Sequence, residues 1–283
     1  MKKRVSCILA LLLVLLTPAS ANSAPTRLGG TGGSTLEVDE GCPVTVSAEQ
    51  LTFSVEGEDD RGRLTAQVTA VYQMENPTDG QLSVPMAFYL EEKQGQIDAE
   101  LGLDHVSVTA DGEPLDFSAQ EVETDDPDTE RTALVYTVDF PAHGGREVAV
   151  SYQSRSYGLQ EGTSHWTQEF TYLLSPARHW ADFGTLDITI ATTEEYPYII
   201  DSSLPLEEAG AYTYTAHFDG LPEGELVFTL YSRPSITLWD RLYAGVTSYQ
   251  FTFLFFLVIL PLLVLGGAAV LIAVLVRRRR RHR

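Results

Sequence analysis

The feature that most constrains the fold is an alternation of apolar and polar residues with a period of two, which recurs along much of the chain. Leu51, Phe53 and Val55 form one such stripe. Further stripes are Leu64 to Met74, Val106 to Ala110, Leu134 to Phe140, Val148 to Tyr152, Leu186 to Ile190, Tyr212 to Phe218 and Leu226 to Leu230. Successive side chains of a strand point to opposite faces, so the pattern is typical of half-buried antiparallel strands. The sequence predicts a mainly β protein built as one or two antiparallel β-sandwich units.

Turn signals separate these stripes. Asp111-Gly112 predicts a hairpin turn, and Asn76 to Gly80 and Pro141 to Gly145 predict two further turns. We place a first β-sandwich domain at residues 44–155 and a second β-rich domain at residues 156–236. No linker rich in proline or serine marks the junction. The second domain is therefore either a separate sandwich or an extension of the first.

The N-terminus has the three zones of a secretory signal peptide. Lys2 to Arg4 precede an apolar run from Val5 to Leu16, and Ala19-Ser20-Ala21 is a cleavage site of the A-x-A type. The run is shorter than the roughly 20 apolar residues that a membrane-spanning helix needs. We assign residues 1–21 to a signal peptide and the glycine-containing residues 22–43 to a flexible leader.

An uncharged segment near the C-terminus predicts a single transmembrane helix at residues 251–276. At ~1.5 Å rise per residue its length exceeds the ~30 Å hydrocarbon core of a bilayer. Residues 237–250 form a juxtamembrane segment in which Trp239, Tyr243 and Tyr249 are placed as an aromatic belt. The tail of residues 277–283 is basic, which places it on the cytoplasmic side of the membrane. Its consecutive arginines are Arg277, Arg278, Arg279, Arg280 and Arg281.

Both ends therefore predict the same location. The protein is expected in the cell membrane as a single-pass protein, with the N-terminus outside, the C-terminus in the cytoplasm and the bilayer as its partner. The sequence contains no N-glycosylation sequon, since Asn76 is followed by proline. Together with the signal peptide, this absence favours a bacterial source.

Charge is distributed unevenly along the chain. All 39 acidic residues lie between Glu37 and Asp240, whereas nine of the 19 basic residues lie in the signal peptide and the tail. The region between them carries ten basic residues and a net charge of −29. Such a surface repels phosphates, so nucleic acid is not expected as a partner. After signal-peptide removal, Cys42 is the remaining cysteine, and we expect it to be buried as a small apolar residue.

Part of the first domain resembles a known family. The stretch VTAVYQMENPTDGQLSVPMAFYL, from Val68 to Leu90, reads as a strand, an N-P-T turn and a second strand. It resembles bacterial membrane-anchored surface proteins with β-sandwich ectodomains, and the N-terminal strands of VIT-type domains. VSVTADGEPLDF and VDFPAHGGREVAVSYQ continue the resemblance, which covers residues 44 to about 155. VIT-type proteins usually carry a metal-binding adhesion domain with a D-x-S-x-S motif. This sequence lacks that motif, so the resemblance implies no function.

Motifs for catalysis are absent from the sequence. It has no G-x-S-x-G elbow, no H-E-x-x-H pair, no P-loop and no dinucleotide-binding glycine motif. The cysteine and histidine residues have no zinc-site spacing. These observations make an enzyme the less favoured interpretation. They do not exclude one, because catalytic groups often meet only in the fold.

Two groups of residues are candidate sites. The first, in the sequence DDPDTE, is a weak calcium candidate, since a loop with several carboxylates could supply oxygen ligands. Its residues are Asp125, Asp126, Asp128 and Glu130. A solvated acidic loop is the preferred interpretation, so we commit to no cofactor. The second is an aromatic stretch that includes Trp166, Tyr172 and Trp180. If these rings are exposed, they are candidates for binding a protein or a glycan. We expect them instead to lie in the core.

Three functions remain after these exclusions. The preferred one is a non-catalytic cell-surface module that binds a protein or a glycan, or that is part of a membrane complex. The first alternative is a structural spacer ectodomain without a specific ligand. The second is an extracellular hydrolase whose site the sequence does not reveal. A binder exposes a contiguous apolar or aromatic patch, whereas a spacer does not.

Overall fold

The computed structural model describes residues 21–29, 35–93, 105–124, 129–159, 166–247 and 255–281. The chain forms two compact units. The first, which we call the β unit, comprises residues 1–159 and 167–234. The second, which we call the helical unit, comprises residues 160–166 and 235–283.

The described residues of the β unit form β-strands and a 3-10 turn at Ser175–His179. In chain order the strands are β1 (Ala21–Gly29), β2 (Thr35–Val38), β3 (Thr45–Glu58), β4 (Leu64–Glu75), β5 (Leu82–Lys93), β6 (Ser107–Ala110), β7 (Glu113–Pro114), β8 (Ser118–Val122), β9 (Thr129–Phe140), β10 (Gly145–Arg155), β11 (Tyr157–Leu159), β12 (Thr167–Tyr172), β13 (Phe183–Ala191), β14 (Tyr198–Ser202), β15 (Glu207–Gly210), β16 (Thr213–Phe218) and β17 (Leu226–Tyr231).

These strands form three sheets. An eight-stranded sheet has the order β15-β16-β13-β3-β4-β10-β6-β7, a five-stranded sheet the order β2-β1-β5-β9-β8, and a four-stranded sheet the order β11-β12-β17-β14. Phe53 of the eight-stranded sheet packs edge-on against Phe228 of the four-stranded sheet, with ring centroids 5.1 Å apart. Tyr152 of the eight-stranded sheet packs in the same way against Phe88 of the five-stranded sheet, at 5.5 Å. Both smaller sheets therefore cover the eight-stranded sheet, which confirms the predicted mainly β fold.

The core follows from the period-two pattern. Along β4, buried residues alternate strictly with partly exposed ones from Leu64 to Met74. In β3, Phe53 faces Val68 of β4, and Val68 faces Tyr152 of β10, so these three side chains lie on one face of the sheet. All three are buried. Directly opposed side chains on one sheet face contact each other, and this face forms the interior of the sandwich.

One strand pair departs from the predicted antiparallel arrangement. β13 lies parallel to β3, with Ile188 beside Leu51 and Ile190 beside Phe53. Between these two strands the chain passes into the five-stranded and four-stranded sheets before it returns. Parallel neighbours need such a long crossover connection, which alternation within a single strand does not reveal. The eight-stranded sheet is therefore mixed.

The same pairing joins the two predicted β domains. β13 and β16 follow the boundary placed at residue 156, yet they extend the sheet that contains β3 and β4. Ser156 itself is fully buried, and its hydroxyl accepts a hydrogen bond from the backbone N–H of Leu64 at 2.9 Å. Of the two arrangements left open by the sequence, the structure has the extension.

Part of the predicted flexible leader is a strand. Residues 21–25 of β1 pair with β5, and residues 26–29 pair with β2. The residues from Asn22 to Thr26 are buried. The prediction of a flexible segment was wrong for these residues, because polar side chains and glycines concealed a strand whose neighbours satisfy its backbone hydrogen bonds.

Two turns that lead from one sheet to another are linked by Asn76. Its Nδ2 donates to the carbonyl oxygens of Gly80 at 2.8 Å and of Pro141 at 2.9 Å. Its Oδ1 accepts from the backbone N–H of Thr78 at 2.9 Å and from the Thr78 hydroxyl at 2.7 Å. Asn76 is almost completely buried, at 1% exposure. One side chain therefore holds the β4–β5 turn against the β9–β10 turn.

We expect Asn76→Ala to lower the free energy of unfolding by about 2 kcal/mol, because the carbonyl oxygens that its amide serves lose a buried partner. Gln81→Ala, directly after the same turn, is the matched control. Gln81 is exposed, so truncation of its side chain should change stability by less than about 0.5 kcal/mol. Denaturant unfolding of both variants measures the difference. Equal stabilities of the two variants would show that Asn76 does not link the turns.

The described residues of the helical unit contain an α-helix, α1 (Leu238–Thr247), a π-helical turn at Phe255–Ile259 and a second α-helix, α2 (Leu260–Arg281). In the part of the chain that the structure describes, no helix has the length and apolar character needed to cross a membrane. The predicted span begins at Phe251, and residues 251–254 lie outside the described ranges, as do residues 1–20 of the predicted signal peptide.

Cys42 is a free cysteine with 6% exposure. Its predicted burial is confirmed. Burial raises the pKa of the thiol, and the nearby Asp39 carboxylate adds to this effect more weakly. Because the thiolate is the reactive form, Cys42 is expected to react slowly in the folded protein.

Candidate functional site

The most unusual side chain of the β unit is Glu49, a carboxyl group with no exposed surface. It lies on β3, two residues before Leu51, on the inward face that also holds Phe53 and Val55. Its partner across the strand pair is Tyr72 of β4. The alternation of β3 therefore places an ionisable group in the core of the sandwich, where charged residues are rare unless paired.

Glu49 is the first member of a chain of hydrogen bonds through the core. The Tyr172 hydroxyl lies 2.8 Å from Glu49 Oε1 and 2.9 Å from the Tyr72 hydroxyl. The Tyr72 hydroxyl lies 2.6 Å from Asn22 Oδ1. Glu49 and Tyr72 belong to the eight-stranded sheet, Tyr172 to the four-stranded sheet and Asn22 to the five-stranded sheet. These four residues, which we call the Glu49 cluster, connect all three sheets.

The orientation of the Asn22 amide determines the direction in which these hydrogen bonds are donated. Asn22 Oδ1 accepts a hydrogen bond from the backbone N–H of Ser23 at 2.5 Å. The amide therefore presents its oxygen to Tyr72, and Tyr72 must donate its single hydroxyl proton to Asn22. Tyr72 then has no proton left for Tyr172, so Tyr172 donates to Tyr72.

The number of protons available to the cluster favours the neutral form of Glu49. Three oxygen–oxygen contacts need three protons, and the hydroxyls of Tyr72 and Tyr172 supply two. A neutral Glu49 would supply the third proton by donating to Tyr172. An ionised Glu49 accepts from the Tyr172 hydroxyl, which leaves the Tyr172–Tyr72 contact without a proton. It would also leave Oε2, which has no hydrogen-bond partner among the described residues, charged and buried.

The pKa of Glu49 makes both of its protonation states accessible near neutral pH. Burial raises the pKa of Glu49 to about 7, although the hydroxyls of Tyr172 and Tyr72 act in the opposite direction. Burial also raises the pKa values of both tyrosines, so they remain neutral donors. The cluster can therefore take up one proton at neutral to acidic pH. Because Glu49 has no exposed surface, it cannot contact a solute in this conformation, and its proton acts on stability.

The predicted aromatic candidates differ in how exposed their side chains are. Tyr172 is fully buried in the Glu49 cluster, and Trp180 is 5% exposed at the end of the 3-10 turn. Trp166, in the helical unit, is 51% exposed. Trp166 is thus the member of the group whose ring is open to a partner.

The calcium candidate falls largely outside the described residues. Residues 125–128, which include Asp125, Asp126 and Asp128, lie outside the described ranges, and only the backbone of Glu130 is described, within β9. Among the residues that are described, no group of three or more histidine, cysteine or acidic side chains could hold a metal ion. Arg277 to Arg281 form the end of α2.

Exposed histidines form pairs with carboxylates at the surface of the β unit. His217 lies 2.7 Å from Asp187 and 3.3 Å from Asp219, and its hydrogen bonds to these groups raise its pKa. His143 lies 2.7 Å from Asp79. Surface pairs of this kind contribute little to stability.

Sequence reasoning missed the Glu49 cluster, although part of the signal was present. The stripe of Leu51, Phe53 and Val55 continues by one period to Glu49, where an acidic residue suggests that the stripe has ended. The sequence predicts buried positions for Tyr72 and Tyr172, but alternation cannot show that their hydroxyls meet. Asn22 lies in the predicted leader, so no sequence signal points to it.

The fold defines a β-sandwich protein with a mixed eight-stranded sheet, and its overall arrangement is similar to that of solved structures. No family model and no curated protein sequence matches the chain. A crystal structure of a candidate nutrient-binding protein from Legionella pneumophila subsp. pneumophila strain Philadelphia 1 is similar, with a TM-score of 0.53 and 12% sequence identity. The match covers 76% of this chain and 73% of that one. At this identity the similarity concerns the fold alone, and the resemblance to VIT-type domains stays a prediction.

Proposed function

We propose that the protein is a non-catalytic binding module held at the outer face of a cell membrane. The observation that carries the binding role is the similarity of fold to a candidate nutrient-binding protein over three quarters of the chain. Function resides in sites rather than in folds, so the ligand does not transfer with the similarity. The ligand of this chain is defined by its own surface.

Membrane attachment is proposed from the sequence. The signal-peptide pattern at residues 1–21, the uncharged segment at residues 251–276 and the basic tail together favour a single-pass protein with its β unit outside. The strongly acidic composition favours neutral or basic partners over nucleic acid or other polyphosphates.

Trp166 is the proposed contact residue. A tryptophan ring that is half exposed offers a large apolar surface and an N–H donor, and such rings are frequent centres of binding interfaces. Tyr212 serves as a comparison, because its ring is 44% exposed at a tight turn of the β unit, where its φ is +61°. Loss of binding on substitution of one of these two residues, but not of the other, would identify the binding site.

The test is crosslinking of the full-length protein in its own membrane, followed by purification and mass identification. The crosslinker should be directed at carboxyl groups, because the predicted outer region has a single lysine, Lys93, and 39 acidic residues. We expect one component to be captured by the wild type and by Tyr212→Ala, and to be lost in Trp166→Ala. Recovery of the protein alone would contradict the binding role and favour a spacer. Equal capture by both variants would exclude Trp166.

A further inference from the structure

The helix α1 presents a face of large apolar side chains that are half exposed or more. Leu238 is 71% exposed and Trp239 78%, and Leu242 and Tyr243 are 50% and 60% exposed. At ~100° per residue, residues 238, 239, 242 and 243 fall within an arc of about 140° on one side of the helix. An apolar stripe of this width normally faces a core or another apolar phase.

The opposite side of α1 carries polar side chains, and their hydrogen bonds join residues close together at the start of the helix. The carboxylate of Asp240 accepts hydrogen bonds from the backbone N–H of Thr237 at 2.9 Å and from its hydroxyl at 2.6 Å. The Thr237 hydroxyl in turn accepts from the backbone N–H of Asp240 at 3.2 Å. This reciprocal arrangement is a capping box, which fixes the start of the helix. The apolar face is therefore displayed by a helix with a defined beginning and not by a frayed segment.

We propose that α1 lies in the outer headgroup region of the bilayer, with Leu238, Trp239, Leu242 and Tyr243 inserted among the lipids. This inference rests on the proposed membrane attachment. Three observations select lipid as the occupant. The apolar arc contains tryptophan and tyrosine, the residues that prefer the interface between membrane and water. Arg241, outside the arc, is exposed and can meet headgroup phosphates. The uncharged segment begins at Phe251, only four residues after α1 ends.

An interfacial helix would have a mechanical consequence. A helix held flat by about two fifths of its circumference resists rotation and withdrawal better than a flexible connection does. α1 would then fix where the chain leaves the membrane surface.

The test uses full-length protein reconstituted into phosphatidylcholine vesicles that contain lipids brominated either near the headgroup or deep in the acyl chains. Bromine quenches tryptophan fluorescence at short range. We expect the shallow bromolipid to quench a larger share of the emission than the deep one. Trp239→Phe should remove most of that quenching, and Trp166→Phe should leave most of it in place.

Flotation of the same vesicles tests membrane attachment separately from the interfacial position of α1. Protein that floats with the vesicles but shows no quenching assigned to Trp239 would overturn the interfacial position while membrane attachment stands. Crosslinked dimers in such a sample would show that a second copy covers the face. Protein that fails to float would overturn both the attachment and the position of α1. A double variant, Leu238→Ser with Leu242→Ser, should reduce the Trp239 quenching at least twofold without affecting flotation.

Discussion

Replacing Glu49 with glutamine is expected to make the β unit about 3 kcal/mol more stable than the wild type at pH 8, because raising a pKa by one corresponds to roughly 1.4 kcal/mol. The carboxyl pKa is raised from 4.5 to about 7 in the folded protein. At pH 8 Glu49 of the wild type is mostly ionised, so the core holds a buried charge and one contact of the cluster lacks a proton. Glutamine is neutral at every pH, and its amide can donate to Tyr172 as the carboxylic acid does.

The sign of the pH dependence follows from linkage. The folded protein binds the Glu49 proton more tightly than the unfolded chain, so this proton's contribution to stability is complete below pH 4.5 and is lost as pH rises to about 7. Asp111 acts in the opposite direction, since the backbone N–H of Glu147 lowers its pKa. The informative quantity is therefore the difference in unfolding free energy between wild type and Glu49→Gln.

Denaturant unfolding at several pH values between 4 and 8 measures this difference, with tyrosine and tryptophan fluorescence as the signal. Glu56→Gln is the matched control, because Glu56 is exposed on the same strand. We expect the Glu56→Gln curve to follow that of the wild type, whereas the Glu49→Gln curve diverges as pH rises. If all three curves run parallel, Glu49 does not titrate in this range and the proton count in the core is wrong.

Replacing Phe53 with alanine is expected to lower the free energy of unfolding by about 3–5 kcal/mol, the usual cost of removing a buried aromatic ring and leaving a cavity. Phe53 has no exposed surface and packs edge-on against Phe170, Tyr172 and Phe228 at 5.1–6.3 Å between ring centroids. All three partners belong to the four-stranded sheet. The substitution therefore weakens the contact between two sheets as well as the core itself.

Ser54→Ala is the control for this prediction. Ser54 is the next residue of β3 and points outward, where it is exposed. Its replacement should change stability by less than about 0.5 kcal/mol. Thermal or denaturant unfolding of the two variants provides the comparison. A loss below about 1 kcal/mol for Phe53→Ala, far under the usual cost of such a cavity, would mean that the four-stranded sheet does not pack on β3 as described.

The sequence predicted the strands of this fold better than their partners. Alternation located β4, β9, β10, β13 and β17, since one inward face is enough to produce a period of two. Asp111-Gly112 forms the predicted turn between β6 and β7, and both residues have the positive φ that such a turn requires. These features depend on neighbours in sequence, so local residues determine them.

Features that depend on distant residues were not predictable in this way. The parallel pairing of β13 with β3, the joining of the two predicted domains and the strand formed by residues 21–29 all arise from contacts across the fold. The Glu49 cluster is the clearest case. Its four residues come from β1, β3, β4 and β12, and each is an ordinary strand residue until the three sheets meet.

The location of the β unit outside the membrane is tested directly by labelling intact cells with a membrane-impermeant maleimide. Buried Cys42 makes the wild type a nearly unreactive background. Asp60→Cys places a thiol in the exposed β3–β4 turn, and His282→Cys places one in the basic tail. A binding module outside the membrane predicts that Asp60→Cys is labelled in intact cells and His282→Cys only after lysis. Labelling of Asp60→Cys only after lysis would contradict the proposed location and with it the proposed function.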